Sequence, residues 1–453
     1  MQHEDWIGSA EQLLKANWPR VLEDLQQLIS IESVRSDPTP GAPFGSGPAQ
    51  ALSYMLRRGQ DMGFAVQNHG GYVGTADFGP EEPGLDILNH VDVVPGGNGW
   101  KVTQPFAPLL VPPRLYGRGA ADNKGPAISV LYALFAVKES GARLRRRVRL
   151  IWGCGEETGA QDIKMYYRTQ SPAPWTVTPD AAFPVICSEK GRLECRFFGE
   201  ADQNGLVKSL SGGGAANAVP DRAEAVVNAK IETVQAAVKA VEGAQCSVSG
   251  ADGQCRIVVQ GKAAHAAAPQ KGTNALSVLL QVVAACPGAP RWAEALAELF
   301  PPKGYSRSVG DDQNVTASLS AMTVEQGTFT GLCEERFPPC AKAEAEKDRL
   351  LKSLERIGCQ TEVLSFSQAH CVQSDSPFVQ TLLDCYRDAG GIDGCARAIA
   401  GNTYAHGIPG AVAFGFANPA VPTGTHGADE YVDLDQLMFG ARVYIRTILE
   451  LCC

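Results

Sequence analysis

The sequence predicts an α/β fold: a discontinuous domain built on a mixed sheet covered by helices, with an α+β domain inserted into it. Three observations lead there. Short apolar runs alternate with amphipathic stretches over the first 190 residues, the texture changes near Gly191, and the first texture returns near Ser376. At 453 residues the chain exceeds what one ordinary core organises, so two domains are expected, 1–190 joined with 376–453 and 191–375 between them.

Within Trp18–Ile31, Val21, Leu25, Leu28 and Ile29 recur at helical spacing. A loop rich in Pro and Gly, Asp37–Pro48, leads to a second helical stretch, Ala49–Met62. Leu85–Asn89 and Arg147–Gly153 read as short buried strands, with a helix over Ala127–Lys138 between them. This alternation argues for a parallel or mixed sheet covered on both faces. In the inserted part, Cys255–Gln260 reads as a strand of a second sheet, and Ala275–Ala285 and Lys342–Ile357 as helices. Beyond it, Phe378–Ala389 reads as a helix and Ala411–Phe416 as an apolar strand.

Hydrophobic residues at 44% and charged residues at 20% suit a soluble globular chain. A net charge of −9 argues against a nucleic-acid surface. The arginine-rich run Arg143–Arg149 leads into the apolar Val148–Trp152 and reads as the solvated edge of a strand. No apolar run is long enough for a membrane span, and the start, Met1–Trp6, is acidic and polar. The expectation is a cytoplasmic protein without a secretory signal. Its 14 cysteines are dispersed, with no CxxC and only Cys452–Cys453 adjacent, so they read as reduced thiols.

Five segments carry candidate chemistry. His90-Val-Asp92 follows the Leu85–Asn89 strand; such a histidine can bind a metal while the carboxylate fixes its ring, or the two can be an ordinary hydrogen-bonded pair. In Tyr116–Gly125 the glycines allow a sharp loop that presents Asp122 before a helix, either to bridge two metals or to cap that helix. In Gly153–Gly159 the adjacent carboxylates of Glu156 and Glu157 repel one another at a strand end. A metal would offset this by taking Glu157 and leaving Glu156 to handle protons; a solvated acidic turn is the other reading. Thr178–Pro184 offers Asp180 and Gly424–Glu430 offers His426, which in isolation read equally as a turn aspartate and a surface histidine. Together the segments supply two histidines and three carboxylates as ligands, with Asp92 and Glu156 left for support and catalysis. Oxygen and imidazole donors suit zinc, manganese or cobalt.

These motifs resemble the aminoacylase and carboxypeptidase-G family of dinuclear-zinc metallopeptidases, and within it the bacterial dipeptidases of the PepV type. The resemblance spans nearly the whole chain through Pro43–Pro48, His90–Pro95, Gly117–Pro126, Glu156–Gly159 and Pro179–Pro184. It implies two zinc ions, one held by His90 and Asp180, the other by Glu157 and His426, with Asp122 bridging. Asp92 would orient His90, and Glu156 would be the general base that then protonates the leaving amine. The inserted domain would be a lid in which His265, within Gly261–Pro269, stabilises the oxyanion. Asn217, within Gly212–Pro220, and Arg336, within Glu334–Pro338, would hold the substrate carboxylate, and Thr403 and Tyr404 would lie on a substrate loop. A small peptide is the implied substrate, with no nucleic-acid or membrane partner, and the long insertion implies a monomer. An N-acyl amino-acid deacylase shares the site and reaction; an inactive binding homologue would have lost ligands or base, and here all are present. Three positions depart from the PepV pattern: Asn123 replaces a second aspartate, Gly155 replaces an Asp or Asn, and His406 replaces an arginine.

Overall fold

A computed structural model describes residues 3–453 apart from 215, 242, 252, 311, 312 and 393. Position 215 falls inside the glycine-rich 212–220 segment singled out above and lies outside the described residues. The chain forms two compact units, Met1–Ser188 with Cys371–Cys453, and Glu189–His370.

The sheet of the first unit runs in the spatial order Ala65–His69, Val73–Phe78, Arg147–Gly153, Pro83–His90, Trp175–Thr178, Val412–Phe414, Val185–Glu189. The four central strands, Arg147–Gly153 to Val412–Phe414, are mutually parallel, and the flanking pairs are antiparallel. The mixed α/β sheet expected from the sequence is therefore present. Its strands alternate between two apolar layers. Leu85, Ile87, Val148, Leu150 and Trp152 enter a large core with the helices His3–Ser30, Ser46–Asp61, Lys124–Glu139 and Leu434–Cys452. Leu88 and Ile151 point the other way, into a smaller cluster with Ile163, Tyr166, Tyr404 and Ile408. Burial on both faces is why apolar residues dominate these strands without a strict alternation.

The first helix begins at His3 rather than near Trp18 and continues through Pro19. Its added turns bury Ile7, Ala10 and Leu14, which share one helix face.

The second unit has a sheet whose pairings are antiparallel, in the order Gln245–Ala251, Gln254–Gln260, Arg222–Val227, Val207–Gly213, Gln313–Glu325, Thr328–Phe337, Gly191–Glu200, Gln360–Ser367. Alternation along Gln254–Gln260 buries Cys255, Ile257 and Val259 against Leu276, Leu279 and Val283 of the helix Ala275–Ala284. Among the described residues no helix is long and apolar enough to cross a membrane, and nine of the 14 cysteines are buried.

Candidate metal centre

Three parallel neighbours in the first sheet end at the same edge, and each delivers acid or imidazole there. His90 is the last residue of Pro83–His90, Glu156 and Glu157 follow Gly153 in one turn, and Asp180 lies just past Thr178. The carboxyl ends of parallel strands are where α/β sheets collect their ligands. Asp122 comes from the loop before the helix Lys124–Glu139. It does not cap that helix: the N-cap is Asn123, whose side chain makes no capping bond. His426 sits in the loop after Phe416–Ala417, with a left-handed φ of 62°.

These side chains form two groups with ligand spacing, His90 with Asp122 and Asp180, and Asp122 with Glu157 and His426. Asp122 belongs to both. Its Oδ1 is 2.9 Å from His90 Nε2, and its Oδ2 is 3.1 Å from His426 Nε2. Asp180 Oδ2 lies 3.4 Å from His90 Nε2, and Glu157 Oε1 lies 3.2 Å from His426 Nε2. All five ligand candidates fall in the two groups, and Glu156 falls in neither.

The arrangement fits a cation. His90 Nδ1 is 3.0 Å from the backbone oxygen of Asp92, which can only accept, so Nδ1 carries a proton, and the ring in its neutral form would turn its Nε2 lone pair inward. That nitrogen and Asp122 Oδ1 are close, yet both are buried atoms with no hydrogen-bond partner among the described residues. Two electron-rich atoms converging in this way, fully enclosed, call for a positive charge between them.

The electrostatics agree. Burial, reinforced by the charge of Asp122, pushes Glu157 up to about 7 and raises Asp180 as well. Glu156 is pushed well above the usual carboxylate range, by burial and by Asp180, Glu157 and Asp122, against the pull of His90. Burial opposes ionisation of Asp122 too, but His426 and His90 outweigh it and hold it below the usual range. His426, hydrogen-bonded to Asp122 and Glu157, rises to about 11. Glu156, Glu157 and Asp180 thus hold protons more tightly than usual, and so does His426, an excess of negative charge that bound divalent ions would offset.

A supporting layer holds the ligands. Asp92 was expected to orient His90 through its carboxylate. Its backbone oxygen holds the ring at 3.0 Å with the carboxylate 3.5 Å from Nδ1, and that carboxylate also accepts the backbone N–H groups of Glu156 at 3.2 Å and Glu157 at 3.1 Å. One residue thereby ties the His90 strand end to the glutamate turn. Tyr404 was expected on a substrate loop, but it is 1% exposed, packs edge-on 6.1 Å from the His90 ring and donates its hydroxyl to Asp162. Asp162 also accepts the N–H of Gly155 at 2.7 Å, so Tyr404 braces the glutamate turn from beneath. Thr403 is nearly buried and accepts the N–H of Ala405. At Gly155 a Cβ would come within 2.5 Å of the Phe44 ring, which is why no larger residue stands there.

Asp162, Arg118 and Glu430 escaped the sequence reading. Glu430 ends the Gly424–Glu430 segment, four residues past His426, and that proximity is its one local signal. A lone Asp162 offered no signal.

In the second unit, Ala218–Val219 pairs with Ala264–His265, and Ala266 N–H bonds to the Asn217 oxygen at 2.9 Å. Asn217 and His265 are thus brought together, both exposed. His265 Nδ1 accepts the N–H of Ala267 at 3.0 Å, which places the proton of the neutral ring on Nε2. Arg336 is buried in Thr328–Phe337 with Nε on Glu334 at 2.8 Å.

Residues 87–450, a span holding every ligand candidate, match the sequence model of peptidase family M20/M25/M40. YtjP of Bacillus subtilis (strain 168) is 30% identical over 95% of this chain and 97% of its own length. The Beta-Ala-Xaa dipeptidase of Lactobacillus delbrueckii subsp. lactis is 31% identical over 97% of this chain and 98% of its own. Human carnosine dipeptidase 1 shares the fold, with a TM-score of 0.63 at 14% identity, covering 98% of each chain. By the extent of the family match and of these full-length relatives, the chain is a member of peptidase family M20/M25/M40.

Proposed function

We propose that the chain is a metal-dependent dipeptidase. The observation that carries this reading is Asp122, whose two carboxylate oxygens face two different histidines at 2.9 and 3.1 Å. The family membership and a relative named as a Beta-Ala-Xaa dipeptidase support it. His90, Asp122 and Asp180 would hold one cation, and Asp122, Glu157 and His426 the other. Two such ions, zinc with manganese or cobalt as alternatives suited to the same donors, polarise a substrate carbonyl and acidify water.

The remaining work belongs to the chain. Glu156 takes a proton from the attacking water and gives it to the amide nitrogen as the C–N bond breaks, so one dipeptide and one water become two amino acids. Asp92 and the Asp162–Tyr404 pair keep the Glu156 backbone in place for this. His265, with its proton on Nε2, donates to the developing oxyanion. Asn217 and Arg336 bind the carboxylate of the substrate, the arginine with a geometry that lysine does not reproduce. The functional unit is a single chain.

A panel of dipeptides, tetrapeptides and N-acetyl amino acids, each with added zinc, manganese or cobalt, tests the reading. Dipeptides should be cleaved fastest. Preference for N-acetyl amino acids would make the protein a deacylase and reject the proposal.

A further inference from the structure

The sheet fixes His90, Glu157 and Asp180, but Asp122 and His426 stand on loops away from it. One buried ion pair, Glu430 with Arg118, spans these two loops. Glu430 lies four residues past His426 and is fully buried. Its Oε1 accepts the backbone N–H groups of Gly119 at 3.1 Å, Ala121 at 3.1 Å and Asp122 at 3.3 Å. Its Oε2 accepts Arg118 Nη1 at 2.5 Å, and its backbone oxygen accepts the N–H of Gly117 at 2.9 Å. Arg118, 2% exposed, extends Nη2 to the carbonyl oxygens of Pro95 at 3.3 Å and Gly96 at 3.4 Å, at the far end of the segment that begins with His90.

Three N–H groups of one loop converging on one oxygen fix the backbone of that loop. The last of them belongs to Asp122 itself. Strand pairing of Tyr431–Asp433 with Arg114–Tyr116 brings the two segments side by side, but it stops at Tyr116. Beyond that point the Glu430 carboxylate takes over. Removing it would strand three N–H groups and a guanidinium in the interior, so the loop would have to rearrange to satisfy them.

We propose that Glu430, together with Arg118, is a positioning residue that sets Asp122 against His426 and thereby the affinity of the site formed by Asp122, Glu157 and His426. This rests on the metal-site reading above. Its test is titration of the metal-free full chain with Co²⁺, following both the bound equivalents and the visible spectrum. Glu430→Gln should fold, yet bind one of two equivalents about 10–100-fold more weakly, with an altered spectrum for that equivalent. Arg118→Lys should act in the same direction and carries the test if Glu430→Gln does not fold. Asp24→Asn is the control for instability alone: Asp24 is a buried carboxylate bonded to Tyr54, Arg58 and Tyr132 on two helices. It should lower Tm and leave both equivalents tight. Glu430→Gln binding both equivalents as the parent does, or Asp24→Asn losing affinity equally, overturns the proposal. A parent chain that takes up fewer than two equivalents overturns the metal-site reading along with it.

Discussion

Gly153→Ala probes the brace beneath the glutamate turn. A Cβ at Gly153 would lie 1.9 Å from Tyr404 Oη and 2.3 Å from Asp162 Oδ2. Those residues are 1% and 0% exposed, so neither can swing into solvent. The methyl must separate them, losing a hydrogen bond to a carboxylate of about 1.5–3 kcal/mol. Overpacking adds about 1–3 kcal/mol. A destabilisation of about 3–5 kcal/mol is therefore expected, accompanied by weaker metal binding, since Asp162 also holds Gly155. Tyr404→Phe alone loses the hydrogen bond but removes the atom closest to the new methyl. Adding Gly153→Ala to it should then cost less than in the parent, with a coupling of about 1–3 kcal/mol in a double-mutant cycle. Urea unfolding of the four proteins measures this. Additivity within about 0.5 kcal/mol, or a Gly153→Ala protein as stable as the parent, would refute the reasoning.

Three further expectations follow. Asp86 is buried in Pro83–His90, and burial pushes its carboxyl up to about 6. The folded state therefore holds that proton more tightly than the unfolded chain, and the resulting stability, complete below about pH 4, is lost as pH rises through about 6, a change of about 3 kcal/mol. Asp86→Asn should lack that component of the pH dependence in urea unfolding; parallel profiles for the two proteins would contradict it. Arg336→Lys should lower kcat/KM for dipeptides strongly, and good cleavage of an amidated dipeptide by the parent would count against a carboxylate grip. Mixing His265→Ala with Glu156→Gln under subunit-exchange conditions should restore no activity, with a monomeric mass by light scattering; recovery would show that chains share sites.

The parts of this protein that were legible in its sequence are those whose signal is local. Leu85–Asn89 and Arg147–Gly153 are legible because both faces of each strand are buried, and the ligand candidates because they fall in short motifs, at strand ends for His90, Glu157 and Asp180 and in glycine-containing loops for Asp122 and His426. What the sequence hid depends on contacts between distant positions. Nothing near Asp162 marks it, because its partners Gly155 and Tyr404 meet it only in the fold. Asp92 was read through its spacing to His90, yet its carboxylate serves residues 64 and 65 positions onward. Tyr404 was assigned to a substrate loop through resemblance, and only its burial in the cluster that holds Ile408 and Leu88 shows it to be core. The opening helix was read only over Trp18–Ile31, whereas it runs from His3 through Pro19 and its first turns bury Ile7, Ala10 and Leu14.

The central claim is a division of labour, with Asp122 as the bridge between two cations and Glu156 as a proton carrier that binds neither. Metal content and dipeptide turnover of purified Glu156→Gln and Asp122→Ala test it most directly. Glu156→Gln should keep two metal equivalents per chain and lose turnover, whereas Asp122→Ala should lose metal. Loss of metal from Glu156→Gln, or two tight equivalents in Asp122→Ala, would contradict it.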